Sequence, residues 1–99
     1  MTMNVKKVED NIEAVSTLLK AVSNNRRMVI VCALAKGEKS VGQLEKIVVL
    51  SQSALSQHLA RLRRDGVVKT RRSAQTIYYS IKCTKAEQLL KSLNRIYGD

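Results

Sequence analysis

At Gly66 the spacing of the apolar residues changes from a helical period to a period of two. Before it, Leu55, Leu59 and Leu62 recur at i, i+4 and i+7, one face of a helix. Ser51 is a suitable N-cap for that helix. Arg63 and Arg64 lie in its last turn, where the dipole favours cations, and Gly66 follows as a C′ residue. After it, Val67–Arg72 and Thr76–Lys82 read as two β-type segments, with Ile77, Tyr79 and Ile81 on one face of the second. Ser73-Ala74-Gln75 joins them without Asn-Gly or Gly-Gly, so a longer or irregular tip is predicted. A chain that turns from a short amphipathic helix straight into a basic hairpin has few architectures open to it.

The remainder narrows them further. Residues 8–22 carry Ile12, Val15, Leu18, Leu19 and Val22 at helical spacing, which predicts one first helix. Any of Ser23, Asn24 and Asn25 can cap the next helix, and Arg26 and Arg27 then stand at its positive end, a small local cost. Met28–Ala35 is apolar throughout, and with Gly37 as a stop it predicts a central helix buried on most sides. Ser40-Val41-Gly42-Gln43 has the form of a capping box, opening a short helix with Val41, Leu44, Ile47 and Val48 inward. Thr84-Lys85-Ala86-Glu87 has the same form, ahead of a last helix with Leu89, Leu90, Leu93, Ile96 and Tyr97 on one stripe. The predicted order is α-α-α-α-β-β-α. That makes a mainly helical single domain over residues 1–99 with a small β-hairpin: a winged helix-turn-helix in which Ser51–Arg64 is the reading helix.

Charge supports that reading. The chain has 18 Lys and Arg against 8 Asp and Glu, a net charge of +10. Residues 51–82 alone carry seven basic residues against one acidic. The excess sits on the reading helix and the hairpin, which points to a polyanionic partner. With no Trp or Phe and only three Tyr, stacking platforms for single strands are scarce, so double-stranded DNA is favoured. No apolar run suits a membrane span, and the N-terminus has no signal-like segment. Two cysteines make no disulfide framework, and a cytoplasmic protein with reduced thiols is expected. One His, no glycine-rich phosphate loop and no metal-ligand cluster leave neither an enzyme, a cofactor nor a metal site to expect.

Several words in the chain resemble the ArsR/SmtB family of dimeric bacterial repressors, especially its thiol-redox branch of HlyU, YgaV and BigR-like regulators. They are Leu18-Leu19-Lys20-Ala21, Arg27 with Ile30-Val31-Cys32-Ala33-Leu34, Ser40-Val41-Gly42-Gln43-Leu44, Leu50 to Leu59, Arg63-Arg64-Asp65-Gly66, and Ala74-Gln75-Thr76-Ile77-Tyr78-Tyr79. The resemblance implies a homodimer that binds a palindromic promoter site and is released by a chemical signal. It also implies that the first and last helices form the dimer interface, through Val15, Leu18, Leu19, Leu89, Leu90, Leu93, Ile96 and Tyr97.

The expected DNA-binding set follows from residue type and position. Ser53, Ser56 and Gln57 face the major groove by resemblance; Gln can pair bidentately with adenine, and Ser with several bases. Ser51 and Gln52 lie at the helix start, where backbone and phosphate contacts are made. His58 can bond a phosphate or a core carbonyl. Arg61, Arg63 and Arg64 are phosphate candidates, with Arg61 and Arg64 placed in the set. Arg71, Arg72 and Gln75 form the wing, and one of the two arginines is expected to reach the backbone or minor groove. Tyr78 and Tyr79 read as packing residues.

Cys32 matches the redox cysteine of that branch. The branch places its partner near the end of the last helix, in a pattern like Ile-Tyr-Cys; here it reads Ile96-Tyr97-Gly98. Cys83 lies about 22 Å of helix away from Gly98 and does not replace the missing thiol. Cys32 is therefore a redox candidate acting alone, although its apolar run predicts a buried, inert thiol. The rival readings are a non-specific architectural DNA-binding protein, a protein-interaction module, and a regulator of the same fold that senses something else.

Overall fold

The computed structural model describes residues 3–98. Its elements are α1 (Val5–Asp10), α2 (Ile12–Val22), α3 (Asn25–Ala35), β1 (Lys39–Ser40), α4 (Val41–Ile47), α5 (Gln52–Arg64), β2 (Val68–Ser73), β3 (Thr76–Ile81) and α6 (Thr84–Tyr97). The three strands form one antiparallel sheet in the order β1-β3-β2. The whole is mostly helical with a small sheet, as the spacing predicted, with two elements more than expected.

The first extra element comes from Asn11. It ends α1 and precedes α2, and its Nδ2 donates to Lys7 O at 2.9 Å. A side chain that competes for helix carbonyls favours a break, so the single helix expected over 8–22 is two. The second is β1, whose two residues pair Lys39 with Tyr79 and Ser40 with Tyr78.

The core is built where the periods said it would be. Leu55, Leu59 and Leu62 of α5 are at most 1% exposed. They pack with Ile30, Val31 and Leu34 of α3, Leu44 of α4 and Val67 and Val68 at the start of the hairpin. Each such side chain stabilises the fold by roughly 1.5–3 kcal/mol relative to exposure.

Local chemistry sets the boundaries. Asn24 caps α3, its Oδ1 accepting from the amides of Arg26 and Arg27. Ser40 and Gln43 close the reciprocal capping box of α4. Gly66 has φ +74°, the left-handed conformation that stops α5 and turns the chain into β2.

Four local expectations are corrected. Met28–Ala35 is not buried on most sides: Val29 and Cys32 are exposed. A uniformly apolar run carries no period, so nothing in it tells which side faces out. Ile47 of α4 is also exposed, because the helix ends there and its last side chain overhangs the core. The hairpin tip is tight: Ser73 pairs with Thr76, leaving a two-residue turn of Ala74 and Gln75. Ala74 takes φ +56° to close it, a conformation glycine would adopt at lower cost. Finally, α6 is capped at Cys83, with no side-chain bond, rather than by a Thr84 box. The amides of Lys82 and Cys83 both donate to Val67 O, at 2.9 and 3.3 Å, which fixes the chain so that Thr84 is already helical.

Candidate nucleic-acid interface

The outer face of α5 is assembled by the same spacing that buries its inner one. Ser53, Ser56, Gln57, Ala60 and Arg64 lie opposite Leu55, Leu59 and Leu62, and all five are exposed. Ser51 caps the helix, its Oγ accepting from the Ala54 amide at 3.2 Å and lying 3.4 Å from Ser53 Oγ. Ser51 thus has a structural task, while the side chains of Gln52, Ser56 and Gln57 bond to no other residue among those described. The free donors and acceptors of Gln57 and Ser56 stand on a rigid, well-packed helix.

One flank of α5 meets α2 and α3. His58 is half-buried there, its Nδ1 3.5 Å from an Arg27 Nη1. Arg27 also donates from Nε to Ala21 O at 2.7 Å and from Nη2 to Lys20 O at 3.4 Å. It therefore caps the C-terminal carbonyls of α2, which offsets the cost of a cation at the start of α3. Burial holds the His58 pKa below its ordinary value, and the charges of Arg27 and Arg26 lower it further. A neutral, partly enclosed imidazole against Arg27 is a positioning contact between two helices before it is a phosphate ligand.

The other flank faces the hairpin. A cleft of about 460 Å³ lies between α5 and the sheet, lined by Ser56, Ala60, Arg63 and Arg64, with Val41 and Tyr79 opposite. The three arginines of α5 are not equivalent. Arg61 donates from Nε to Asp65 Oδ2 at 3.3 Å. Arg64 lies 3.7 Å from Asp65 Oδ1, with its side chain 70% exposed. Arg63 is exposed and pairs with no carboxylate among the described residues. Arg63 is thus the freest of the three cations, though residue type alone did not set it apart. Asp65, at i+4 from Arg61, is the signal that identifies the restrained one.

The two wing arginines are separated by strand alternation. Thr70 pairs with Tyr79, a residue packed against the core, so Arg72 projects on that side of the sheet, beyond the core. Arg72 is exposed and unpaired among the described residues, and Gln75 stands exposed at the tip. Arg71 projects on the opposite side. Its Nε and Nη2 donate to Glu38 Oε2 and Oε1 at 2.9 and 2.8 Å, and its guanidinium lies 4.5 Å over the Tyr78 ring. The carboxylate raises the Arg71 pKa, and the guanidinium lowers that of Glu38. Of the two arginines expected at DNA, the structure leaves Arg72 free and engages Arg71. Glu38 had no signal in the sequence, because its partner is 33 residues away.

The terminal helices present a different surface. Val15, Leu18, Leu89 and Leu93 are half-buried, while Leu19 is exposed. Ile96 is 68% and Tyr97 83% exposed. Leu90, expected at a dimer interface, is 6% exposed and belongs to the core of its own subunit. Cys32 opens onto a groove between α3 and α6, beside Lys36, Lys91, Asn94 and Arg95. Both cysteines are free thiols. A Cβ at position 98 would lie 2.7 Å from Asn94 O and against the Asn94 side chain, so any residue larger than glycine shifts this helix end. Among the described residues no group of three or more His, Cys, Asp and Glu is arranged to hold a metal ion. No helix there is long and apolar enough to cross a membrane.

A capped short helix, a second helix with a free polar face and a basic hairpin behind it define a winged helix-turn-helix domain. Residues 24–70 match the family described as "Bacterial regulatory protein, arsR family". The transcriptional activator HlyU of Vibrio cholerae is 48% identical over 95 residues, spanning 96% of this chain and 88% of that protein. The crystal structure of the transcriptional repressor BigR from Xylella fastidiosa has a TM-score of 0.91 at 40% identity, covering 96% of this chain and 97% of that one. A homodimeric winged helix-turn-helix DNA-binding domain from Mycobacterium bovis, described as a possible ArsR-family regulator, has a TM-score of 0.77 at 25% identity, covering 96% and 86%. The chain belongs to the ArsR family of bacterial regulatory proteins, in the branch of HlyU and BigR, a family of transcriptional regulators and not of enzymes.

Proposed function

We propose that residues 1–99 form one domain acting as a cytoplasmic, homodimeric transcriptional repressor that binds a palindromic promoter site in double-stranded DNA. Each subunit lays α5 in the major groove, with the two half-sites about one helical turn, ~34 Å, apart. Gln57 reads a base edge, adenine by the geometry of its amide, and Ser53 and Ser56 bond to neighbouring bases. Gln52, Arg63 and Arg64 grip phosphates beside them, while Arg72 and Gln75 reach the backbone or minor groove from the wing. The observation that carries this reading is the outward row of Ser53, Ser56 and Gln57, flanked by Arg63 and Arg72, cations unpaired among the described residues.

The dimer would form through Val15, Leu18 and Leu19 of α2 and Leu89, Leu93, Ile96 and Tyr97 of α6. The exposed apolar side chains at the ends of these helices support that pairing. Selection of bound duplexes from a random library tests the whole. The expected product is an inverted repeat bound by two subunits. A product without sequence preference indicates an architectural protein instead, and no bound DNA at all indicates a protein-interaction module.

Release is assigned to a redox or reactive-sulfur signal at Cys32, with no metal and no bound cofactor. Exposure of this thiol, with Lys36, Lys91 and Arg95 bordering the same groove, supports access by an anionic oxidised-sulfur species. Promoter binding is measured with and without hydrogen peroxide or a persulfide donor, on the native protein and on Cys32→Ser. Loss of release in the variant is expected; release that persists contradicts the thiol signal.

A further inference from the structure

Arg71 is held from two sides, by the Glu38 carboxylate and the Tyr78 ring. Tyr78 is its direct cross-strand neighbour on β3, and Ser40 of β1 is the next residue in the same row. Glu38, the residue just before β1, reaches that same side of the sheet, where its carboxylate meets the Arg71 guanidinium. From β2 the Arg71 side chain crosses the Tyr78 ring of β3 and ends on the carboxylate of Glu38, just ahead of β1. The bond is bidentate, using Nε and one Nη, the geometry that fixes a guanidinium most firmly. Stacking on Tyr78 restrains the same group from a second direction. The next residue, Arg72, projects on the other side and has no such partner among those described.

We propose that Glu38 is a specificity-determining residue of the DNA interface: by clasping Arg71 over Tyr78 it withholds one wing cation from the phosphate backbone and leaves that contact to Arg72. The proposal rests on the reading of the hairpin as a DNA-binding wing. A protein of charge +10 binds any duplex through counterion release, and each further phosphate contact strengthens that sequence-independent grip. Releasing Arg71 to a phosphate would strand the Glu38 carboxylate beside the DNA backbone, where like charges repel. The arginine that tightens binding to every sequence is thus tied to an acid, and the fixed sheet aims its neighbour.

The test is the salt dependence of binding to a random-sequence duplex and to the duplex recovered by selection, for E38Q, R71Q, R72Q and the double variant E38Q/R71Q. E38Q is expected to bind the random duplex more tightly, with the slope of log K on log salt steeper by about one. That gain should shrink about threefold between ~50 and ~200 mM salt, and the ratio of selected to random affinity should fall. R71Q should leave the slope unchanged, R72Q should reduce it by about one, and E38Q/R71Q should lose the gain of E38Q. A purely structural role for Glu38 would weaken binding in E38Q without steepening the slope, and that result overturns the proposal. So does an R71Q slope reduced as much as that of R72Q, which would mean that Arg71 leaves Glu38 for a phosphate in the complex. If R72Q alone has no effect, the assignment of Arg72 fails while the clasp stands. If no variant moves the slope, the wing does not touch DNA and both readings fall.

Discussion

Helices α5 and α6 are both amphipathic and of similar length, yet they use their apolar faces differently. In α5 the apolar stripe of Leu55, Leu59 and Leu62 is consumed by the subunit's own core, and the polar face is left over. In α6 only Ala86 and Leu90 are fully buried, with Leu89 partly packed on the core, and the apolar stripe runs on to Ile96 and Tyr97 in the open. What a helix leaves exposed, rather than how amphipathic it is, tells the kind of partner it serves. A leftover face of Ser, Gln and Arg suits base edges and phosphates. A leftover face of Leu, Ile and Tyr suits another apolar surface.

The contrast can be broken first at its buried side. Leu59→Ala removes a side chain packed at 1% exposure and should cost about 2–5 kcal/mol of stability, read as a lower denaturation midpoint in urea. The same kind of change at Ile96 should leave the subunit folded. Ile96→Asp is expected to weaken the proposed self-association by roughly 2 kcal/mol, with sedimentation showing a smaller species than the native protein at the same concentration. Should Ile96→Asp unfold the subunit instead, the exposed stripe of α6 belongs to the core and not to a partner.

Smaller effects sharpen the comparison at the edges of α5. Ala74→Gly relieves the positive φ at the wing tip and should raise stability by up to about 1 kcal/mol, seen as a higher melting temperature. The least effect concerns His58, whose pKa is lowered by folding. The unfolded chain binds that proton more readily, so the contribution of His58 is complete above the unfolded value of about 6.5. It is lost as pH falls through that value toward the folded one. His58→Gln should therefore flatten the acid limb of stability below about pH 6.5; an unchanged limb would show that neither burial nor Arg27 acts on the imidazole.

Most of the α5 face was legible in the sequence because it rests on local chemistry. Three leucines at helical spacing, Ser51 before them and Gly66 after them specify the helix, its buried side and its end without reference to the rest of the chain. The Ser40–Gln43 box is local in the same way. What was not legible depended on contacts between distant segments. Cys32 sits in a run with no period, so its exposure follows only from where α6 lies. Thr84 has the right neighbours for a cap, yet Val67 O, seventeen positions upstream, fixes the helix start at Cys83. The clasp of Arg71 by Glu38 requires the strand register, which no short window contains. Arg26 and Arg27 stand at the unfavourable end of α3, and the compensation, Arg27 capping α2, lies in a different helix.

In the proposed division of labour the outward face of α5 reads bases while Arg72 grips the backbone. This division is tested most directly by measuring the affinities of Gln57→Ala and Arg72→Gln for the selected duplex and for random DNA. Gln57→Ala should lose roughly 1–3 kcal/mol on the selected duplex and little on random DNA, relaxing preference at one position. Arg72→Gln should weaken both alike. Equal losses on the two duplexes for Gln57→Ala would contradict the account.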